Sequence, residues 1–583
     1  MNPLVKVIRQ SVIGLLWVAT CLFACLDTEL FVYLSLSQTL IAGLFILLMA
    51  FVGILWRGSR SYHLTWTEII IIGWIIYSVS HAMLVKRPEI YKLIYLIETL
   101  GLTLLLPDLL RRGLISRKSV ENGFLLMTGV QVLALVLQSC GIMDSYNEFF
   151  PLTGFSENPN VVATLLAVCI PCIIRKIRSE KRKAPWCVFL VTLVVYTFAL
   201  KSRTAVIGLI VYFTFRALFS ERVRAFWNKQ TWRWKTFEAS IVVLVIALAC
   251  HTFYMVKRDS TDSRILIWKV SCSIIKENPM GIGMGMFEHD YNLKQGEYFT
   301  SGNSTASERY CSNPVYMAYN DFIEHGVECG IPGLFFMLAF YGSLVVRAYR
   351  IGKREELSVI AAFFVMSWIN FVYASVQPWF VLLCYGSFIV YGSDRNDAVE
   401  SRPSLVASAC FLSLFACFAL SFIHFQLLSS QLQLGWWQKK AGRGDDIEPE
   451  KIERLSSSIG TSEAYWRFLS ERYLHHEDYE NALRCILTAK KYTSSPDVFF
   501  SVFNCYDKLG QTERGLPYII EIRKMLPLNL TSRLVLLKWY DCNDQDSEAL
   551  QMAREIARTP VKIQNRRSMD IKKFADSYIK KHQ

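Results

Sequence analysis

Cations are the first residues in this chain whose placing suggests chemistry. Lys201 and Arg203 stand where one apolar stretch opens, and Lys257, Arg258 and Arg264 follow another, with Lys86 and Arg87 forming a third group. Clustered basic side chains can hold an anion such as a lipid phosphate. Arginine suits this because its planar fork binds phosphate oxygens in pairs and stays charged. A second set is Asp321, His325 and Glu328, spaced i, i+4, i+7 and so on one face of a helix. Carboxylates and imidazole can take a proton from a reacting group; the same spacing also suits a solvated face where a helix enters a membrane. A third feature is Gly281, Gly283 and Gly285 in N-P-M-G-I-G-M-G-M-F (278–287), which allow close approach or unusual dihedrals. The order is not G-x-G-x-x-G after a strand, so a nucleotide fingerprint is not expected. His289 and Asp290 are adjacent without a partner pair at ligand spacing, so neither a metal site nor a cofactor is expected.

The elements that must position these residues are apolar. Of 583 residues, 52% are hydrophobic and 19% charged, with mean hydropathy +0.28. Soluble proteins carry about 25% charged residues; the deficit excludes a disordered chain, a collagen-like chain and an ordinary cytosolic globule. A span needs about 20 apolar residues. Candidates fall near 11–26, 34–56, 66–84, 91–107, 123–141, 160–175, 186–201, 203–220, 239–256, 331–347, 358–376, 379–392 and 404–427. The expected fold is therefore all-α: a polytopic bundle of about thirteen transmembrane helices over 1–428, with a large outer loop at about 257–330 and a soluble domain over 429–583.

The net charge of +14 does not point to nucleic acid. Its excess sits in short loops, such as Arg175 to Lys183 and Arg216 to Lys235, which is the orientation signal of membrane proteins. With Lys6 and Arg9 inside, alternation places these loops inside as well. The long loop, the three cationic groups and the C-terminal domain then lie outside. Most of the 16 cysteines lie in apolar stretches and behave as small hydrophobes.

From about Ala464 the chain is polar and repeats. Tyr473, Tyr506 and Trp539 are spaced by 33, and Ala482, Gly515 and Ala549 by 33 and 34. The stretch Y-L-H-H-E-D-Y-E-N-A-L (473–483) resembles the turn and second helix of a tetratricopeptide repeat, and 504–516 echoes it. A period near 34 predicts an α-solenoid of roughly three repeats, a module that usually binds a protein partner.

Four stretches together resemble the O-antigen ligase and polymerase superfamily of bacterial membrane glycosyltransferases. They are G-F-S-E-N-P-N-V-V-A (154–163), K-S-R-T-A-V-I-G-L (201–209), R-I-L-I-W-K with the glycine stretch (264–269, 278–287), and Y-N-D-F-I-E-H-G-V-E-C-G-I-P-G-L (319–334). The resemblance covers about 150–390. It implies metal-independent transfer or polymerisation of a glycan from an undecaprenyl-diphosphate donor onto an acceptor hydroxyl, at the periplasmic face of the bacterial inner membrane. On that basis Arg203 and Arg264 match arginines that the family uses near the donor. Lys201, Lys257 and Arg258 join them by position, and Asn158, Asn160, Gly283, Tyr319 and Asn320 fall in the matching motifs. Family ligases typically have a histidine before the Asn of the fourth motif, where this chain has Tyr319. Tyrosine is a poor base at neutral pH, so Asp321, Glu324, His325 and Glu328 are its substitutes. That departure favours a polymerase or an O-linked protein glycosyltransferase over a ligase acting on a lipid core. A lipid-linked glycan transporter and a membrane-anchored repeat scaffold are the rival readings.

Overall fold

The computed structural model describes residues 3–26, 34–57, 63–85, 89–221, 258–392, 399–400, 403–562 and 565–582, with 223, 225, 229, 231 and 232. It is helical apart from one short bridge, in which β1 (His63–Leu64) pairs antiparallel with β2 (Val399–Glu400). The chain divides into two compact units. One comprises residues 1–86, 90–242 and 319–444; the other comprises 87–89, 243–318 and 445–583.

The first unit holds α1 (Pro3–Phe23), α2 (Leu34–Leu55), α3 (Trp66–Val85), α4 (Ile90–Arg111), α5 (Arg117–Ser139), α6 (Pro159–Ser179), α7 (Ala184–Ala199) and α8 (Arg203–Leu218). Four more segments in the same unit are helical; in this article's numbering they are α12 (Asp321–Arg350), α13 (Arg354–Ile369), α14 (Val376–Tyr391) and α15 (Pro403–Gly442). Their long Leu, Ile, Val and Phe runs can be helical in lipid because a helix bonds its own backbone. Among the described residues, eight helices are long and apolar enough to cross a membrane: α1 to α6, α12 and α15; α7 and α14 are apolar but shorter. The stretch 239–256 lies outside the described residues.

Two boundaries differ from the sequence reading. Helix α15 runs unbroken through 428/429 to Gly442, and the compact units part between Gly444 and Asp445. The polar residues from Ser429 onward change the faces of this helix without ending its backbone. Helix α12 is interrupted at Gly330, whose φ of 70° only glycine adopts readily. Pro332 follows, where its ring would conflict with the Glu328 carbonyl of an unbroken helix. The Cys329 carbonyl accepts from the Tyr77 hydroxyl at 2.5 Å. Gly330 thus makes the break, and a Cβ at Gly333 would collide with Cys329 across it.

The second unit combines the long loop with the C-terminal residues. The loop contributes α9 (Arg258–Glu277), α10 (Phe287–Thr300) and α11 (Ala306–Cys311). The C-terminal part begins with α16 (Pro449–Glu453) and α17 (Ser456–Ile459). Three antiparallel hairpins follow: α18 (Glu463–His475) with α19 (Tyr479–Ala489), α20 (Pro496–Lys508) with α21 (Thr512–Met525), and α22 (Leu530–Cys542) with α23 (Asp546–Arg558). Helix α24 (Arg566–Lys581) closes the chain. The second and third hairpins and α24 share a core that includes Ile519, Ile522, Met525, Leu537, Met552 and Ile556, and Leu293 of α10 packs against it. The loop at 258–318 therefore packs with residues 445–583 in one compact unit.

Candidate functional site

In the first unit, hydrogen bonds draw several helix N-termini onto one segment, residues 370–377, between α13 and α14. Asp321 Oδ2, at the start of α12, accepts from the backbone N–H of Val372 at 2.9 Å and Tyr373 at 3.0 Å. Asn370 Nδ2 donates to Thr204 Oγ1 in the first turn of α8 at 3.1 Å. The Tyr95 hydroxyl in α4 donates to the Tyr373 carbonyl at 2.8 Å. Gln377, in the first turn of α14, accepts from Gln131 Nε2 at 3.0 Å and donates to Gln38 Oε1 at 3.4 Å. The same glutamines hold the loop before α6. Gln131 Oε1 accepts from Phe155 N–H at 2.8 Å, Gln38 Nε2 donates to the Phe155 carbonyl at 2.9 Å, and Gln138 Oε1 accepts from Thr153 and Gly154 N–H, each at 2.9 Å.

The N-termini are capped from their own sequence. Asn158 Oδ1 accepts from Asn160 N–H at 2.9 Å and begins α6. The Ser202 hydroxyl caps α8, directly ahead of Arg203. Asn320 Oδ1 accepts from Phe322 and Ile323 N–H, each at 3.0 Å, and begins α12. Among the described residues, the buried Asn320 Nδ2 has no hydrogen-bond partner. Lys201 and Tyr319, just before α8 and α12, take φ of 51° and 52°. This left-handed conformation is uncommon for side chains other than Gly, Asn and Asp, and such strain collects at functional sites. Each of these N-termini also carries the positive end of its helix dipole, which favours negative charge nearby. Lys201 is exposed and Arg203 half-buried among them.

Of the four expected proton acceptors, three lie on the inward side of α12 and not on a solvated face, while Glu324 is half-buried. Asp321, His325 and Glu328 are all buried. Both backbone donors that Asp321 serves take its Oδ2, so it staples the 370–377 break to α12. His325 Nε2 accepts from the Trp74 indole N–H at 3.1 Å, which places the ring proton of a neutral imidazole on Nδ1 and occupies its lone pair. Glu328 pairs with Lys92 Nζ at 3.4 Å, with side chains 5% and 30% exposed respectively. The imidazole is therefore not a free base here, and among the described residues Glu328 is the one of the three paired with a cation. Tyr319 lies edge-on to the ring of Phe371.

The second unit positions the remaining motif. Gly281, Gly283 and Gly285 all have positive φ, 90°, 112° and 85°. Gly283 closes a turn by accepting from Met286 N–H at 3.2 Å, and Glu89 N–H donates to the Met284 carbonyl at 2.8 Å. A Cβ at Gly285 would overlap the Glu89 side chain. Arg264 is half-buried on α9, and Arg258 is exposed, 3.6 Å from Asp262. Lys257 lies outside the described residues. Helix α9 is tied down by Trp268 Nε1, which donates to the Ala318 carbonyl at 3.0 Å. Lys269 pairs with Glu308 at 2.9 Å. Although partial burial pushes the Glu308 carboxyl up, the Thr305 N–H, Lys269 and Tyr298 take it down to about 2. The C-terminal residues hold the loop in turn. Gln295 Nε2 donates to the Met525 carbonyl at 2.9 Å, Ser494 Oγ to that of Glu288 at 3.0 Å, and Lys562 Nζ to that of Ser312 at 3.1 Å.

Sequence reasoning missed segment 370–377, the four glutamines, Trp74 and Lys92. Amide side chains inside apolar helices were the available signal, because polar groups at membrane depth must find partners.

The described architecture is that of a multi-pass membrane protein in which several helix N-termini are bonded to segment 370–377. Residues 162–338 match the family model described as O-antigen ligase. The match includes Arg203, Arg264, Gly283, Asn320, Asp321 and Glu328, and ends before segment 370–377. It supports a membrane glycosyltransferase of the O-antigen ligase and polymerase type. No curated protein matches the chain by sequence.

Proposed function

We propose that this protein transfers or polymerises a glycan from an undecaprenyl-diphosphate-linked donor onto an acceptor hydroxyl, at the periplasmic face of the bacterial inner membrane. The observation that carries this reading is the family match lying over a rim where helix N-termini, Arg203 and Lys201 offer fixed positive charge. The leaving group is a diphosphate, so transfer is accelerated by donors already aimed where negative charge grows. Arg203 grips the diphosphate, assisted by Lys201 and the unpaired Asn320 Nδ2. On the family resemblance, Arg264, with Arg258, Lys257 and the Gly283 turn, is a further candidate for binding the donor. Glu328, paired with Lys92, takes the acceptor proton, while Asp321 and His325 position α12. Asn158 and Asn160 order the start of α6. No metal or cofactor takes part in this scheme.

The full proposed topology has about thirteen spans with the second unit outside. Helix hairpins of 11 to 14 residues support tetratricopeptide-like repeats, on which a protein partner docks. Polymerase, ligase and O-linked protein glycosyltransferase share this chemistry and differ in the acceptor. The break at Gly330 favours a second reading, a lipid-linked glycan transporter, since transporters use interrupted helices. Incubating the purified chain with a lipid-linked glycan and candidate acceptors separates these readings. Elongated or newly glycosylated product is expected; movement of the lipid without product supports the transporter.

A further inference from the structure

The chain enters the C-terminal body at Asp445, and one residue later it meets the end of the first hairpin. Asp446 Oδ1 lies 3.0 Å from His476 Nε2 and 3.8 Å from His475 Nδ1. All three candidate ligand atoms fall within 4.8 Å of one another. Ligands on one zinc ion sit about 2.0–2.2 Å from the metal, so tetrahedral neighbours are about 3.3 Å apart. The two distances to the carboxylate bracket that edge, and the third pair lies within 4.8 Å. Two imidazoles and one carboxylate suit a borderline divalent metal and are poor ligands for magnesium or calcium, which prefer oxygen.

The backbone holds the pair of histidines in place. His475 ends α18, and His476 is its cap. Beyond them, Glu477 takes φ of 59°, donating its N–H to the Leu474 carbonyl, and Asp478 N–H reaches back to Tyr473. This double bond closes a helix end in the left-handed way usually left to glycine, and it fixes the direction in which adjacent imidazoles leave the chain. Helix α16 is already tied to the same hairpin, since Glu453 accepts from the Tyr473 hydroxyl at 2.8 Å and pairs with Arg484 at 3.0 Å. All three ligand residues remain open to solvent, so an ion has a path in.

We propose that Asp446, His475 and His476 bind one divalent transition-metal ion of the zinc class, which clamps residues 445–448 to the end of α18. The fourth position is left to water or to a carboxylate from a partner. This site stands apart from the argument for glycan transfer, and neither depends on the other.

The test titrates zinc into the full-length, tag-free protein in detergent by calorimetry, with magnesium and calcium as controls. Wild type should bind one zinc per chain well above the magnesium response. Even second-shell partners of metal ligands are worth roughly 10- to 100-fold in affinity. His475→Gln with His476→Gln should therefore weaken zinc at least on the order of 100-fold, and Asp446→Asn should weaken it measurably. Cobalt(II) should give the strong visible bands of a four-coordinate ion in wild type and lose them in the double variant. Because the residues are exposed, the variants should keep wild-type circular dichroism. Equal zinc affinity in the double variant, or zinc binding no tighter than magnesium, overturns the proposal.

Discussion

The two units hold their candidate residues by opposite means. In the first, the rim is fixed by buried side chains bonded to backbone: Asp321 to Val372 and Tyr373, Gln131 to Phe155 and Gln377, Gln138 to Thr153 and Gly154. In the second, the glycine motif is fixed by backbone conformations open chiefly to glycine, and its loop by helix packing on the C-terminal hairpins. The difference teaches where each region is fragile. A buried polar staple fails when one partner is removed, because the other group stays desolvated and unpaired. A packed loop fails when the body beneath it is removed.

The largest effect should follow deletion of residues 445–583. The sequence alone suggests that losing the repeats changes acceptor choice or product length and leaves some chemistry. The packing of α10 on α21, with the bonds from Gln295, Ser494 and Lys562, predicts instead that the loop carrying Arg264 loses its support. Transfer by the truncated, membrane-inserted chain should then fall to background; substantial activity would show that the loop is ordered by other means.

Next is Asp321→Ala, which leaves one buried and one partly buried N–H group unpaired, at about 1–3 kcal/mol for the buried one. A clear drop in thermal stability is expected. Asp321→Asn keeps an acceptor oxygen and should recover most stability and most transfer, whereas a general base at this position would leave Asn as inactive as Ala. Gln131→Leu should cost a similar or slightly smaller amount, about 1–3 kcal/mol, by leaving Phe155 N–H unpaired. Its readout is increased protease cleavage in the loop before α6, with little change around α10.

The smallest effect is one of pH, confined to the second unit. Glu308 has its carboxyl depressed from 4.5 to about 2 in the folded state. Its contribution is therefore fully present above about pH 4.5 and is lost as pH falls toward about 2. Acid should loosen α11 and its tie to Lys269 in that window. Glu308→Gln should flatten this dependence, measured by hydrogen exchange at residues 305–311.

Much of the membrane part was legible because lipid imposes one rule, that long apolar stretches become helices. Every expected stretch except 239–256, which is outside the described residues, falls on a helix. The interruption at Gly330 and the placing of the loop were not legible in the same way. Local pattern gives a helix around 330, and only the Tyr77 hydroxyl on another helix shows that the freed Cys329 carbonyl is satisfied. The four motifs gave the ends of α6, α8 and α12, since caps such as Asn158, Ser202 and Asn320 are local. Segment 370–377 was hidden because its role comes from partners at 204, 321 and 131, distant in the chain. Likewise Asp446 stands 29 residues before His475 in sequence, so no ligand spacing announced that cluster.

The central claim is that fixed cations at the rim stabilise a departing lipid diphosphate. Its most direct test is the rate of glycan transfer by purified Arg203→Ala and Arg203→Lys, compared with wild type at saturating lipid-linked donor. Loss of one aimed donor costs about 100- to 1,000-fold, and Arg203→Lys should recover only part because it keeps charge without the planar fork. Well-folded Arg203→Ala transferring glycan at the wild-type rate would contradict the account.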